Sequence, residues 1–323
     1  MGKISLNAKT IVVAIGGNSL IRNGSQSTSF DEQLETVKET TQNIADIIEQ
    51  GYRVVITHGN GPQVGDILIR SYLTRNHMPD IPLDMANAIT QSQIGYMIQQ
   101  SLKNELLSRK IKRDVVTVIT QVIVDKKDPA FSNYTKPVGP FYSKKEAFTL
   151  QTERKWIMKE DAGRGFRRLV SSPQPNQIVE LNEIQCLIES GVVVIAGGGG
   201  GIPVFRNSRG QLVPLSAVID KDLTSALLAN LIRADILLIS TSVDCAYIYF
   251  NQPRQKPLYK ITIKQAQKYL DQGHFGQGNM GPKISAGIVF IKNTRNRTTI
   301  ITDPKNLSKS IFHAKVGTRI YKP

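Results

Sequence analysis

Residues 192–203 read VVVIAGGGGGIP, an apolar run that ends in five glycines. The segment 192–196 contains no polar residue, which is typical of a strand buried on both faces of a parallel sheet. Backbone amides of a glycine loop at the carboxyl end of such a strand bind anions well. We therefore predict a buried strand followed by an anion-binding loop.

Two other apolar runs end in the same way. The segment 11–15 leads into Gly16, Gly17 and Asn18, and the segment 53–57 leads through His58 into Gly59, Asn60 and Gly61. One glycine run is commonly only a turn, but three at equivalent strand ends favour an anion site. His58 leaves two interpretations open, a ligand contact or a structural role.

Strand-like and helix-like segments alternate along the chain. Strands are predicted at 11–15, 53–57, 115–120, 192–196, 236–240 and 298–302. Helical periodicity is present at 30–50, 87–109, 180–190, 225–232 and 263–271. This alternation predicts an α/β protein, a three-layer αβα sandwich with an open, mainly parallel sheet, whose ligands bind beyond the carboxyl ends of the strands.

The segment 125–172 interrupts the alternation, because it is rich in Lys, Arg, Pro and Gly and shows no strong buried strand. It predicts an inserted subdomain that acts as a lid, with a disordered decoration as the alternative. Its aromatic residues predict a small core of its own. They are Phe131, Phe141, Trp156 and Phe166.

Composition narrows the class of protein. The chain has 323 residues, and its basic residues exceed its acidic ones by 41 − 26 = 15, which favours anionic partners. Neither an RNA-binding strand motif nor zinc-finger spacing is present, so nucleic acid is the less favoured partner. Cys186 and Cys245 sit beside apolar residues and are expected to be buried free thiols. With no secretory or membrane-spanning run, we expect a cytoplasmic protein.

Three lysines lie in apolar or glycine-rich surroundings. Lys221 stands between Asp220 and Asp222, Lys283 closes a glycine-rich segment just before an apparent helix, and Lys136 sits in a rigid turn of the insert. Lysines and loop amides stabilise the negative charge that spreads over a phosphoryl group during its transfer. The residues therefore favour phosphoryl transfer, although any one of these lysines alone is more simply a solvated charge.

Seven ordered motifs resemble those of the carbamate kinase family within the amino acid kinase superfamily, over essentially the whole chain. In this sequence they are AIGGN at 14–18, HGNGPQVG at 58–65, TKPVGPF at 135–141, EDAGRG at 160–165, GGGGIP at 198–203, VIDKD at 218–222 and GPK at 281–283. The resemblance implies one domain spanning 1–323, whose N-terminal half binds the acceptor and whose C-terminal half binds ATP or ADP with Mg²⁺. It also implies a homodimer and a small inserted lid at 125–172.

Residue roles follow from the same resemblance. Gly16, Gly17, Asn18, Gly59, Asn60 and Gly61 are expected to bind the acceptor and the phosphoryl group. Lys221 and Lys283 are expected to flank the nucleotide phosphates, with Asp220 orienting both lysines. Gly199, Gly200, Asp244 and Met280 are expected at the nucleotide site. No metal ligand from the protein is implied, since Mg²⁺ binds mainly through the nucleotide phosphates.

One position separates this family from its relatives. Other amino acid kinases typically carry a lysine two residues before the glycine pair, where this chain has Ala14. A missing cation must be replaced or the rate falls by powers of ten. The resemblance implies that Lys136 of the insert replaces it, with lid closure completing the site.

The implied reaction is ATP + carbamate ⇌ ADP + carbamoyl phosphate, run toward ATP in arginine breakdown. The alternatives are another phosphotransferase of the superfamily and a non-catalytic relative that binds anions or nucleic acid.

Overall fold

The computed structural model describes residues 8–16, 20, 29–161, 163–276 and 279–323, except for the side chain of Pro140. Numbered in chain order, its strands β1 to β17 are Thr10–Ile15, Arg53–His58, Val115–Thr117, Gln121–Ile123, Lys136–Tyr142, Ile157–Glu160, Phe166–Val170, Gln177–Ile178, Val193–Ile195, Ile202–Arg206, Leu212–Pro214, Ile236–Ser240, Ala246–Ile248, Lys256–Leu258, Lys260–Thr262, Thr298–Thr302 and Thr318–Tyr321. The helices α1 to α9 are Phe30–Glu49, Gly61–Thr74, Leu83–Ser108, Lys144–Arg154, Leu181–Glu189, Lys221–Leu231, Ile263–Asp271, Met280–Ile291 and Leu307–Phe312.

The central sheet has the strand order β15-β17-β16-β12-β1-β2-β9-β3. The six strands from β16 to β3 are mutually parallel, and they are the six that the sequence predicts. Strand β17 runs antiparallel to β16, and β15 runs parallel to β17. The sheet is therefore open and mainly parallel, as predicted.

Helices cover both faces of this sheet. On β1, Ile11 and Val13 belong to a core shared with α1 and α3, whereas Val12 and Ala14 belong to a core shared with α6 and α8. All four side chains are 0% exposed. Because both faces of the strand are buried, its sequence is continuously apolar rather than alternating. The predicted three-layer αβα sandwich is confirmed.

The segment 125–172 contains a separate three-stranded sheet of order β5-β7-β6, with α4 beside it. Trp156 and Phe166 pack against the buried Ala147, Leu150 and Met158, as the aromatic pattern predicts. The prediction is wrong for the other two aromatic residues. Phe131 packs against the main core instead, and Phe141 is 41% exposed beneath the guanidinium groups of Arg164 and Arg167.

Some local predictions are corrected by the structure. Cys245 is buried as expected, but Cys186 is exposed, because it lies on the outer face of α5. Helix α6 begins at Lys221, one turn before the apolar pattern at Ser225, since the Asp220 side chain accepts a hydrogen bond from the amide of Asp222 and caps the helix. Lys283 lies inside the first turn of α8 rather than before the helix.

Within the described ranges, no helix combines the length and the hydropathy needed to cross a membrane.

Candidate active site

Three glycine-containing loops meet at one edge of the central sheet. Strands β1, β2 and β9 are adjacent and parallel, so the loops that follow them at Gly16, at 59–61 and at 197–201 lie at the same edge. The amide of Gly59 donates to the carbonyl of Ile15 at 2.9 Å, which ties the first two loops together. Gly17 and Asn18 lie outside the described residues.

The side chain of Asn60 is committed to the protein rather than open to a ligand. Its Nδ2 donates to the side-chain oxygen of Asn87 and, at 2.8 Å, to that of Thr90, and the residue is 4% exposed. Asn60 precedes the first residue of α2, Gly61, without capping the helix through its side chain. Any anion bound at this loop is therefore held by main-chain amides at the helix N-terminus.

The loop at 197–201 is packed so closely that side chains are excluded. A Cβ on Gly199 would lie 2.1 Å from Nδ2 of Asn60, and one on Gly200 would lie 2.3 Å from the carbonyl oxygen of Ile219. The φ angles of Gly199 and Gly200 are +64° and +92°, in the left-handed region that favours glycine. The loop thus fills the space between the β2 loop and the segment that leads into α6.

The first turn of α6 gathers the three candidate lysines. Lys136 Nζ lies 2.6 Å from Asp220 Oδ2, while Lys221 Nζ lies 2.6 Å from Asp222 Oδ1. Lys283 Nζ lies 3.3 Å from Asp222 Oδ2. The expectation that Asp220 orients Lys221 and Lys283 is wrong, because Asp222 pairs with both and Asp220 pairs with Lys136.

Burial and charge set the ionisation of this cluster. Burial alone would raise the pKa of Asp222, but the charges of Lys221 and Lys283 outweigh it and lower that pKa to about 2. Burial lowers the pKa of Lys221, opposed by the charge of Asp222. One buried carboxylate thus holds two ammonium groups side by side, an arrangement suited to a multiply charged anion.

Backbone pairing brings the lysine of the insert to this cluster. Lys136 on β5 is paired with Val170 on β7, and the next residue, Ser171, forms a bridge to Ala217. The amide of Val218 donates to the carbonyl of Ser171 at 3.0 Å. Because Val218 is only two residues before Asp220, the strand that carries Lys136 is held in register with the start of α6.

The start of α6 also contacts the loop at 197–201 and the end of strand β2. Thr224 Oγ1 donates to the carbonyl of Gly200 at 2.8 Å. Ser225 Oγ donates to the carbonyl of Lys221 at 2.6 Å, and it lies 2.6 Å from Oγ1 of Thr57 at the end of β2. The loops and the lysines therefore form one connected structure.

His58 has a structural position. The ring is 1% exposed, its Nδ1 lies 3.0 Å from the carbonyl oxygen of Gly59, and a Cβ on Gly198 would lie 2.4 Å from its Nε2. Burial lowers its pKa to about 4. The imidazole is therefore neutral at pH 7 and supports the two loops.

The two remaining nucleotide-site candidates lie beside other strand ends and helix starts. Asp244 follows β12, is exposed, and accepts a hydrogen bond from the hydroxyl of Tyr247 at 2.7 Å. Met280 is the first residue of α8 and packs against the main core, one turn before Lys283.

Sequence reasoning missed a set of buried polar residues that support the loops. The side-chain amide of Asn87 donates to the carbonyl of Gly201 at 2.9 Å, and Gln91 exchanges two hydrogen bonds with the backbone of Thr120. Together with Thr90, these residues recur at helical spacing in a segment predicted as a helix. Polar residues on the buried face of a helix were the available signal, since buried polar groups need partners.

The described residues contain no group of three His, Cys, Asp or Glu side chains placed to hold a metal ion. The Asp220 carboxylate pairs with Lys136 and caps α6, and the Asp222 carboxylate pairs with Lys221 and Lys283. This donor set fits a Mg²⁺ ion that binds through nucleotide phosphates and keeps most of its waters.

Comparisons with known proteins identify the family of this chain. The model of the amino acid kinase family matches residues 9–303. The carbamate kinase of Pyrococcus horikoshii is 49% identical over 96% of this chain and 98% of its own, and that of Clostridium perfringens is 45% identical over 97% and 99%. The solved carbamate kinase of Giardia lamblia bound to AMP-PNP aligns with a TM-score of 0.90 at 39% identity, covering 98% of this chain and 99% of that one.

The chain therefore belongs to the amino acid kinase family, and within it to the carbamate kinases. Its class is that of an ATP-dependent phosphotransferase.

Proposed function

We propose that the protein catalyses ATP + carbamate ⇌ ADP + carbamoyl phosphate at the edge of the sheet where the three glycine loops meet. The observation that carries this proposal is the convergence of Lys136, Lys221 and Lys283 on the first turn of α6. The relatives named carbamate kinase support the choice of acceptor. In this proposal the N-terminal half of the chain binds the acceptor and the C-terminal half binds the nucleotide.

Each group has a part in the transfer. The loops at Gly16, Gly17 and Asn18 and at 59–61 bind the acceptor and the phosphoryl oxygens through main-chain amides such as that of Gly61, because the Gly59 amide already donates to Ile15. Lys221 and Lys283 neutralise the nucleotide phosphates, which Gly199, Gly200, Asp244 and Met280 border. A Mg²⁺ ion bound with the nucleotide would neutralise part of the phosphate charge, beside the charge that Lys221 and Lys283 supply. Asp222 aligns the two buried lysines, so little reorganisation is needed when charge moves during transfer.

Lys136 replaces the cation that relatives carry on the first strand. The Ala14 side chain is 0% exposed and carries no charge, so β1 itself offers none. Lys136 is 34% exposed in its side chain and is the most accessible of the three lysines. We assign it to the transferring phosphoryl group, with the segment 125–172 acting as a lid that covers the small acceptor and excludes water.

The direct test uses a coupled assay to measure the formation of ATP from ADP and carbamoyl phosphate. The wild-type protein should form ATP, and Lys136→Ala should lower kcat by about 10²–10³-fold, as loss of one transition-state cation does. Lys159→Ala, an exposed lysine on β6 of the same insert, is the matched control and should leave kcat unchanged. ATP formation that survives loss of Lys136 would favour another phosphotransferase of the superfamily.

The binding alternative has its own test in a salt-dependent titration with DNA. A protein that binds DNA but forms no ATP would be the non-catalytic relative.

We further propose that the protein is a cytoplasmic homodimer that works toward ATP in arginine breakdown. The cellular location follows from its nucleotide substrates. The dimer is supported by an uncharged apolar stripe on α3, formed by Met85, Ile89 and Tyr96, which are 51%, 39% and 61% exposed. Their spacing of four and seven residues places them on one face of the helix.

A further inference from the structure

Helix α2 and strand β5 touch through two glycines. Gly65 lies in α2 and Gly139 in β5, and a Cβ built on Gly65 would lie 2.8 Å from Cα and 3.2 Å from the carbonyl carbon of Gly139. Both opposing atoms belong to the main chain. No change of side-chain rotamer relieves such a contact, so any residue larger than glycine must push the strand away.

Glycine at this position is not explained by the helix itself. Gly65 is the fifth residue of α2, at a position where alanine is the better helix former. Its neighbours in α2, Val64 and Leu68, pack against Val138 and Val170 of the insert in one buried cluster. The close contact therefore lies at the interface between the segment 125–172 and the main αβα domain.

On the other side of this interface, the main chain of β5 is held at two carbonyl groups. Arg167 of β7 donates from Nε to the carbonyl of Gly139 at 3.1 Å and from Nη2 to the carbonyl of Pro137 at 3.4 Å. The guanidinium group thus clamps the main chain on both sides of Val138. Lys136 directly precedes this clamped stretch, so a displacement at Gly139 is carried to Lys136.

We propose that Gly65 is a positioning residue for phosphoryl transfer: its contact with Gly139 sets the distance between β5 and the body, and so places the Nζ atom of Lys136 beside Asp220. This inference rests on the proposed function of Lys136. Gly65 contributes no charged or polar side chain to the site. Its proposed effect is nevertheless specific to one catalytic lysine, Lys136.

The test is a kinetic cycle with four proteins: wild type, Gly65→Ala, Lys136→Ala and the double variant. For ATP formation from ADP and carbamoyl phosphate, Gly65→Ala should lower kcat by about 10²-fold, the cost of a misplaced group, with KM for ADP unchanged. In the Lys136→Ala background the same substitution should lower kcat by less than about 2-fold, because residues that act as a unit are not additive.

The control is Gly95→Ala, a buried glycine of α3 whose added Cβ would lie 2.4 Å from the side chain of Thr117, away from the insert. Gly95→Ala should be destabilised by overpacking. Adding Lys136→Ala to that variant should still lower kcat by the same factor as it does in the wild-type protein. Thermal unfolding of all variants accompanies the kinetics. If Gly65→Ala does not fold, Gly139→Ala is the second variant: its Cβ meets only Tyr142 Oη at 4.0 Å, while its φ of +77° strains β5 at the residue that Gly65 contacts. Its loss of kcat should likewise fall below about 2-fold in the Lys136→Ala background.

An equal loss of kcat in both backgrounds, or a wild-type kcat in Gly65→Ala, would overturn the positioning role and leave the proposed function intact. A wild-type protein that forms no ATP would instead remove the proposed function, and this inference with it.

Discussion

Asp222 is the residue on which the ionic part of the site depends most. It is 2% exposed and forms ion pairs with both Lys221 and Lys283, whereas the ion pair of Asp220 among the described residues is with the more accessible Lys136. The sequence suggests that acids beside Lys221 hold it, but it does not say which acid faces inward. The direction of each side chain depends on where the helix begins, and Asp220 becomes the cap while Asp222 enters the helix.

This difference predicts unequal effects of two similar substitutions. Asp222→Asn leaves two ammonium groups in a buried site without their counter-charge and should cost about 3–5 kcal/mol of unfolding free energy. Asp220→Asn removes the charge beside a partly exposed lysine and keeps a good N-cap, so it should cost less than about 1 kcal/mol. Urea unfolding measures both. Equal losses would show that Asp222 is not the main partner of the buried lysines.

His58 predicts a loss of stability in mild acid. Its folded pKa of about 4 lies below the ordinary value of 6.5, so between these values the unfolded chain binds a proton that the folded protein does not. The free energy of unfolding should therefore fall as pH drops from 6.5 to about 4, by about 3 kcal/mol in total. The low pKa of Asp222 adds a further loss only below 3.8.

The measurement is urea unfolding at pH 7 and pH 5 for wild type and His58→Asn. The difference between the two pH values should shrink in the variant. A wild-type difference that the variant keeps in full would assign the acid sensitivity to other groups.

At the level of elements, the parallel strands were readable because each is a continuous apolar run bounded by polar or glycine residues. The short strands could not be predicted from the sequence in this way. Strand β4 is three residues long and pairs with β10, whose Ile202 lies opposite Gln121, 202 − 121 = 81 positions earlier in the chain. Such pairings depend on the tertiary structure, and a three-residue segment carries too little periodicity to predict them.

The glycine loop after β9 was predicted, but its tolerance to substitution follows only from the structure. Gly200→Ala and Gly210→Ala both place alanine at positive φ, +92° and +78°. Only the first meets another atom, the carbonyl oxygen of Ile219 at 2.3 Å, whereas nothing lies within 4 Å of a Cβ on Gly210. Gly210→Ala should cost about 1 kcal/mol, and Gly200→Ala about 1–3 kcal/mol more, with weakened nucleotide binding.

Thermal unfolding and ADP titration of the two variants check this pair. Equal stability of the two proteins would mean that the loop after β9 relaxes away from Ile219, and that it is less constrained than its contacts indicate.

For the whole molecule, the proposed dimer predicts that a single substitution on α3 should disrupt the contact between the two subunits. Tyr96 is 61% exposed at the C-terminal end of the α3 stripe, and its hydroxyl hydrogen-bonds only to Gln100 among the described side chains. Replacing it with Glu places charge in the apolar contact and should convert dimers to monomers without lowering the stability of the monomer. Sedimentation at several protein concentrations measures this, with Phe148→Glu on α4, 71% exposed and away from the stripe, as the control. A Tyr96→Glu protein that remains dimeric would move the interface elsewhere.

The overall fold followed from the sequence more completely than the site did. Layer order depends on periodicity, which is local, while the pairing of Lys136 with Asp220 joins residues 84 positions apart. The insert reaches that partner through the bridge between Ser171 and Ala217, a contact that no local pattern encodes.

The segment 220–225 has a consequence for how this chain can vary in length. Within six residues it touches the insert, α8, the glycine loop and β2. Removing or adding one residue there would rotate everything beyond it by about 100° around the helix axis, and all four partners would lose their register together. Natural insertions and deletions should therefore be absent from this turn and accumulate instead at exposed tips such as Asn207–Gly210, where a longer loop changes nothing that the lysines require.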